Sequence, residues 1–256
     1  MAHPCNSDEA FQIEVDGRLR PTVNNEGRLI HPTEDGVRNF WRWFGDSQAV
    51  DAQGRPLVMY HGTGADVSEF VLHKWGERYG FYFTTSAVYA ERFAESKAED
   101  ITYAPQECAQ GANVMPVFLS LRNPVDVREG WPPKIAEALD YVVDFEWLTT
   151  WPSEEFWNAM DGELGKSMQS ALEELGYDGL IAFEWGHPVY VAFDSGQIKS
   201  AIGNTGAFDP RNPSLTDQIT GLRHAEDLQM DAALDDIEHA LRRDLRESFP
   251  ERKPFA

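Results

Sequence analysis

Two short stretches hold the residue types and spacing that could do chemistry: Tyr60-His61-Gly62-Thr63 and Gly80-Phe81-Tyr82-Phe83-Thr84. Each lies at the end or in the middle of an apolar run that reads as a β-strand. They place an imidazole, a small-residue turn and an aromatic ring close together along the chain. That combination suits a flat, positively charged heteroaromatic ligand, because an aromatic face attracts a cation.

The chain around them is long enough to fold on its own. It has 256 residues, of which 42% are hydrophobic and 12% aromatic, enough to bury a real core. Its formal net charge of −21 argues against a surface that tracks nucleic-acid phosphates. The most basic cluster is Leu241-Arg242-Arg243-Asp244-Leu245-Arg246. The two cysteines, Cys5 and Cys108, give neither a disulfide framework nor a metal-ligand spacing, so no metal is expected. No apolar stretch approaches a membrane span, and the first residues lack a basic-then-apolar secretion signal. The expected location is the cytoplasm, or a target cell reached by a route that does not use such a signal.

The elements that must position the two motifs are legible from patterning. Phe11, Ile13 and Val15 alternate before an Asp16-Gly17 turn, and Asn24-Asn25-Glu26-Gly27 is a second turn, so residues 1–31 are expected to form an N-terminal β element. Val37, Phe40, Trp41 and Phe44 recur at helical spacing, and Gly45 closes that helix. Strands are expected over residues 56–61 and 80–85. A helix follows with Thr85 or Ser86 as N-cap and Ala90, Phe93 and Ala94 on one face. A third strand covers 113–121. Residues 131–165, rich in Trp, Pro and acids, read as an insertion with one short helix carrying Pro133, Ile135, Leu139 and Val142. Met168, Leu172 and Leu175 mark a helix capped by Gly176. Strands over 178–184 and 189–194 come next, and 198–202 extends the sheet. Beyond a Gly-, Asn- and Pro-rich boundary at 203–213, Met230, Leu234, Ile237, Leu241 and Leu245 mark a charged, acidic helix within 214–256.

Strands dominate the middle without regular βαβ alternation, which predicts an α+β fold with a split or curved mixed sheet. No Gly-x-Gly-x-x-Gly follows a strand, so a Rossmann site lacks its fingerprint.

Taken in order, the blocks resemble the ADP-ribosyltransferase fold. The matching branch has a His-Tyr-Glu signature and is shared by diphtheria toxin and the poly(ADP-ribose) polymerases. The likeness is strongest to the domain found in phage and mobile-element polyvalent proteins. It rests on Trp43-Phe44-Gly45-Asp46-Ser47, Tyr60-His61-Gly62-Thr63, Gly80-Phe81-Tyr82-Phe83-Thr84, Gln197-Ile198-Lys199-Ser200-Ala201, Gly203-Asn204 and Phe208-Asp209-Pro210, within residues 39–213. The resemblance implies a split mixed β-sheet core with flanking helices, here carrying a C-terminal helical extension. The domain would span 32–213.

It also implies NAD as substrate. His61 would hydrogen-bond a ribose hydroxyl, and Gly62 would bring main-chain groups against the nicotinamide carboxamide. Thr63 would add a hydroxyl, Tyr82 would stack on the nicotinamide, and Phe93 matches the second aromatic of the sandwich. Gly80 and Phe83 belong to the same NAD-binding strand. Catalysis would come from holding the ribose in strain and stabilising positive charge on it.

One position departs from the pattern. The family's catalytic Glu precedes an aromatic-aliphatic strand ending in Asp, with Gln three residues on. The matching string is Val189-Tyr190-Val191-Ala192-Phe193-Asp194, followed by Gln197, so Val189 stands where the Glu belongs. Three explanations compete. Another acid serves, with Glu184 in the preceding strand the nearest. The acceptor supplies its own activating group, giving transfer of a single unit. Or the domain is a catalytically silent module that binds NAD or ADP-ribose. Chain extension to a polymer is the outcome least compatible with valine. The expected activity is mono-ADP-ribosylation of a macromolecular acceptor, a protein side chain in preference to nucleic acid, by a toxin, effector or phage-encoded modifier. The acidic C-terminal helix is a candidate for binding a protein partner.

Overall fold

A computed structural model describes residues 11–65, 67–71, 80–99, 109–143 and 163–217. The expected acidic helix from 218 onward and the middle of the insertion, 144–162, lie outside the described residues.

The chain opens with a hairpin, β1 (Gln12–Val15) and β2 (Arg18–Pro21). Asp16 and Gly17 both take positive φ at its two-residue turn, the geometry that matches the twist of paired strands. The hairpin belongs to the same compact unit as the main sheet. Val15 enters the core, and the indole nitrogen of Trp41 donates to the Pro21 carbonyl at 2.8 Å.

Helix α1 (Glu34–Phe44) starts where the Thr33 hydroxyl accepts from the Gly36 amide. It ends where Gly45, at φ 60°, donates to the Trp41 carbonyl. Val37, Phe40, Trp41 and Phe44 are buried, as their spacing predicted, and Trp43 is buried with them.

The main sheet pairs seven described strands in the order β6-β7-β8-β4-β3-β5-β9. These are β3 (Met59–Ala65), β4 (Phe81–Thr84), β5 (Ala109–Leu119), β6 (Pro124–Asp126), β7 (Gly179–Glu184), β8 (His187–Ala192) and β9 (Ile198–Ser200). The β6–β7 pair is parallel and the other neighbours are antiparallel, so the sheet is mixed, as expected.

Both faces are covered, which explains why β7 and β8 read as near-continuous apolar runs. On one face Ile181, Tyr190, Ala192, Phe81 and Phe83 pack with the aromatic side of α1 and with Phe208 and Leu215. On the other, Leu180, Ala182, Val189 and Val191 pack with Tyr89 of α2 (Ala87–Glu99), Leu139 of α3 (Pro133–Leu139) and Met168 and Leu172 of α4 (Glu163–Glu174).

Several boundaries differ from the sequence reading. The strand expected at 56–61 starts at Met59, because Leu57 and Val58 donate instead to Ala49 and to the Asn25 side chain. It then runs through Gly62-Thr63-Gly64 to Ala65, paired with β5 and with its register shifting between Thr63 and Ala65. That partner strand begins at Ala109, earlier than position 113. Short β6 was not foreseen. Of the two candidate caps for α2, Ser86 is the one used: its hydroxyl accepts from the Tyr89 amide at 3.2 Å.

Candidate active site

The three sequence blocks become neighbouring strands. β3 carries His61, β4 carries Tyr82, and β8, carrying Val189, flanks β4. Between β3 and β4 the pairing is brief. Tyr60 sits opposite Thr84, and no further ladder pair joins these strands among the described residues. Beyond that point the two strands are connected through a side chain. His61 Nδ1 donates to the Tyr82 carbonyl at 2.8 Å. A carbonyl oxygen only accepts, so Nδ1 carries a proton and the lone pair of the neutral ring sits on Nε2. Phe70 meets the imidazole edge-on at 4.9 Å and Phe83 lies 5.5 Å away, so the ring is fixed by packing as well.

His61 and Tyr82 thus touch through a main-chain oxygen while their side chains serve different faces. His61 lies with Phe70, Phe81 and Phe83, on the α1 side. Phe83, expected at the ligand, is 2% exposed and part of that core beneath His61. Tyr82 is half-buried and packs toward the α2 side, with Val189 and Val191. Thr63 is buried in β3. Gly80, at φ 61°, has the Ala192 carbonyl where a Cβ would point, so the approach of β8 requires glycine there.

Gly62 is in a similar position with respect to α2. A Cβ on it would stand 1.9 Å from the Ala90 carbonyl oxygen and 2.9 Å from the Ala94 nitrogen. The helix backbone therefore lies directly on the strand, and the small side chains of Ala90 and Ala94, both buried, permit the approach. This close packing sets where the next helical stripe falls. Tyr89 and Phe93, four residues apart, project from α2 beside the hairpin of β7 and β8. Tyr89 is buried, whereas Phe93 is exposed on the rim.

Val189 is 3% exposed and opposes Thr84 on one side and Ala182 on the other. A valine here is a core residue. Glu184 stands two residues beyond Ala182 along β7, on the same face and diagonal to Val189. Diagonal neighbours lie roughly 7–8 Å apart, within reach of a long side chain. Glu184 closes the hairpin opposite His187, across the turn Trp185-Gly186. Its carboxylate accepts a hydrogen bond from the Tyr89 hydroxyl. Burial first, and then this bond and the carboxylate's charge, push the Tyr89 hydroxyl far above the usual tyrosine range, against an opposing pull from Arg92. The Tyr89 ring lies flat on His187, with centroids 4.3 Å apart and 16° between planes, and meets Phe93 edge-on at 5.2 Å.

Of the residues singled out from sequence, Gly62, Tyr82, Phe93 and Glu184 share the α2 side of the sheet, with Glu184 further along the strands than Tyr82, and His61, on the α1 side, bonds the Tyr82 carbonyl. Tyr89 and His187 were not singled out. Tyr89 precedes Phe93 by one helical turn, and His187 follows Glu184 across a two-residue hairpin loop. Those spacings are the signal that could have found them. Among the described residues no group of three or more His, Cys, Asp or Glu is placed to hold a metal ion, and no helix is long and apolar enough to cross a membrane.

The family model for the ADP-ribosyltransferase in polyvalent proteins matches residues 51–208. That stretch includes the strands carrying His61, Tyr82, Glu184 and Val189, together with α2. No curated protein and no solved structure matches the chain.

Proposed function

Because the chain belongs to the ADP-ribosyltransferase family of polyvalent proteins, we propose that it transfers a single ADP-ribose unit from NAD to a macromolecular acceptor. The bond between the ribose anomeric carbon and the nicotinamide nitrogen breaks. Its electron pair neutralises the pyridinium, and nicotinamide leaves. The acceptor's nucleophilic atom bonds to the anomeric carbon and gives up its proton to a base or to water.

His61, its ring held by the bond from Nδ1 to the Tyr82 carbonyl, hydrogen-bonds a ribose hydroxyl. Tyr82 and Phe93 face the cationic nicotinamide, each contact contributing roughly 0.5–2 kcal/mol. The Gly62 main chain, at the place where β3 and β4 part, pairs with the carboxamide. Glu184 takes over the carboxylate's work that Val189 cannot do: it accepts from the ribose and stabilises the positive charge that grows there. The net charge of −21 favours a protein acceptor over nucleic acid.

The observation that carries this reading is the brief pairing of β3 and β4, which leaves Gly62 and Tyr82 where the two strands part, with the Tyr82 side chain on the α2 side. The experiment is incubation of the purified chain with NAD and candidate acceptors, following nicotinamide release and intact mass. The expected result is release with a gain of one ADP-ribose on an acceptor, lost in a His61→Ala, Tyr82→Ala double variant. Undiminished turnover in that variant would sink the reading. A second reading, a silent NAD-binding module, is favoured by the burial of Val189. It requires NAD to raise the melting temperature with no nicotinamide released.

A further inference from the structure

We propose that Tyr89 is the positioning residue for the site's acid: its hydroxyl, on a ring held flat against His187 and edge-on to Phe93, fixes the Glu184 carboxylate on the face it shares with Tyr82 and Val189. The inference rests on the reading of Glu184 as the acid.

Glu184 sits at the end of β7, beside a hairpin tip whose Trp185 and Gly186 are both exposed. A glutamate there has three rotatable bonds and every incentive to turn its charge to bulk water. The Tyr89 hydroxyl opposes that. It donates to the Glu184 carboxylate, and a bond to a carboxylate is among the stronger kinds.

Tyr89 itself is held from two sides. The stack on His187, at 4.3 Å and 16°, fixes the ring plane, and the edge contact with Phe93, at 5.2 Å and 87°, limits sliding along the helix. His187 is opposite Glu184 in the ladder. The contacts therefore close a circuit: Glu184 to His187 across the hairpin, His187 to Tyr89 by stacking, and Tyr89 back to Glu184 by its hydroxyl. A buried phenylalanine would satisfy the packing alone. The hydroxyl is needed only by the carboxylate. The same circuit includes Phe93, so the ring proposed to clamp nicotinamide and the acid proposed to act on the ribose share one support.

The test uses the full chain as wild type, Tyr89→Phe, Glu184→Gln and the double variant. Phenylalanine keeps the ring and both ring contacts. In NAD cleavage, Tyr89→Phe is expected to lower kcat by roughly ten- to a hundredfold, the weight of one hydrogen bond to a charged group. KM for NAD should stay within about twofold, and Tyr89→Phe should add nothing on top of Glu184→Gln. Without NAD, unfolding of the same four proteins in urea should give a coupling between the two positions of roughly tenfold in the unfolding constant. If Glu184→Gln inactivates the chain while Tyr89→Phe leaves kcat unchanged, or lowers it equally with and without Glu184, the positioning role is overturned and the acid stands. If Glu184→Gln has no effect, or the wild type releases no nicotinamide, the reading beneath it fails and the proposal goes with it.

Discussion

Gly62→Ala gives the sharpest test of how the site is built. An alanine Cβ at 62 would fall 1.9 Å from the Ala90 carbonyl oxygen and 2.9 Å from both the Ala90 carbonyl carbon and the Ala94 nitrogen. All three are helix main chain, so no side-chain rotation relieves the clash. Helix α2 must retreat by roughly 1 Å, or β3 must bend away from β5. Overpacking of this kind costs about 1–3 kcal/mol, and the absence of a rotameric escape puts it near the top of that range. At ~2–4 °C per kcal/mol for a unit of this size, the melting temperature should drop by about 6–12 °C. The assay is thermal and urea unfolding of the chain without NAD. Adding Ala90→Gly should not restore stability, because the clash is with the carbonyl and not with the Ala90 methyl. A Gly62→Ala protein that melts with the wild type but has lost NAD affinity would refute the reasoning. It would mean that glycine serves the ligand alone and that α2 does not lie on the strand.

Two further perturbations probe the scaffold. Lys199 is wholly buried and its ammonium donates to the carbonyls of Asn212 and Ser214 and to Asp217 Oδ1 at 2.6, 3.0 and 2.7 Å. Lys199→Met should cost about 3–5 kcal/mol by stranding the Asp217 carboxylate, and adding Asp217→Asn should recover much of it in urea titrations. Tyr60 donates to the Glu26 carboxylate, and burial first, then that bond, pushes its hydroxyl pKa up to about 12 from the ordinary 10.0. A raised value means the contribution is complete below the unfolded-state value and is lost as pH climbs from 10 through 12. The stability slope over that window should therefore flatten in Tyr60→Phe, as read by unfolding at stepped alkaline pH.

The fold was legible where local pattern and tertiary pairing agree. Helix α1 has an apolar stripe and a Gly45 stop, and both signals survive in the structure, which adds a Thr33 cap. Strand β3 was cut short in the sequence reading because Gly62-Thr63-Gly64 looks like a turn. Pairing of His61 with Met115, Gly62 with Val114 and Thr63 with Asn113 overrides that local preference. Strand β6 has three residues and begins with proline, so only its parallel pairing with β7 defines it. In the site, the spacing of Tyr82 and Phe93 was readable within one strand–helix unit. The partner of Tyr89 lies in a hairpin far along the chain, and no local pattern links the two. Gly62 was read as a ligand contact. The helix backbone pressed on it supplies a separate physical reason for glycine, one that a sequence without coordinates does not contain.

The tie made by Lys199 also governs where the domain can be severed from a larger polypeptide. Residues 214–217 read as the beginning of a separate tail. In the structure, the Leu215 amide donates to the Ser68 carbonyl, its own carbonyl accepts from Ser200, and Ser214 bridges Glu69. Glu69 adjoins Phe70, the ring against His61. A cut after 213 would leave an ammonium in the interior with no counter-charge and would unstitch the segment that buttresses the imidazole. Excised as a free-standing unit, or grafted onto another protein, the domain keeps its histidine in place only when the chain continues through Asp217.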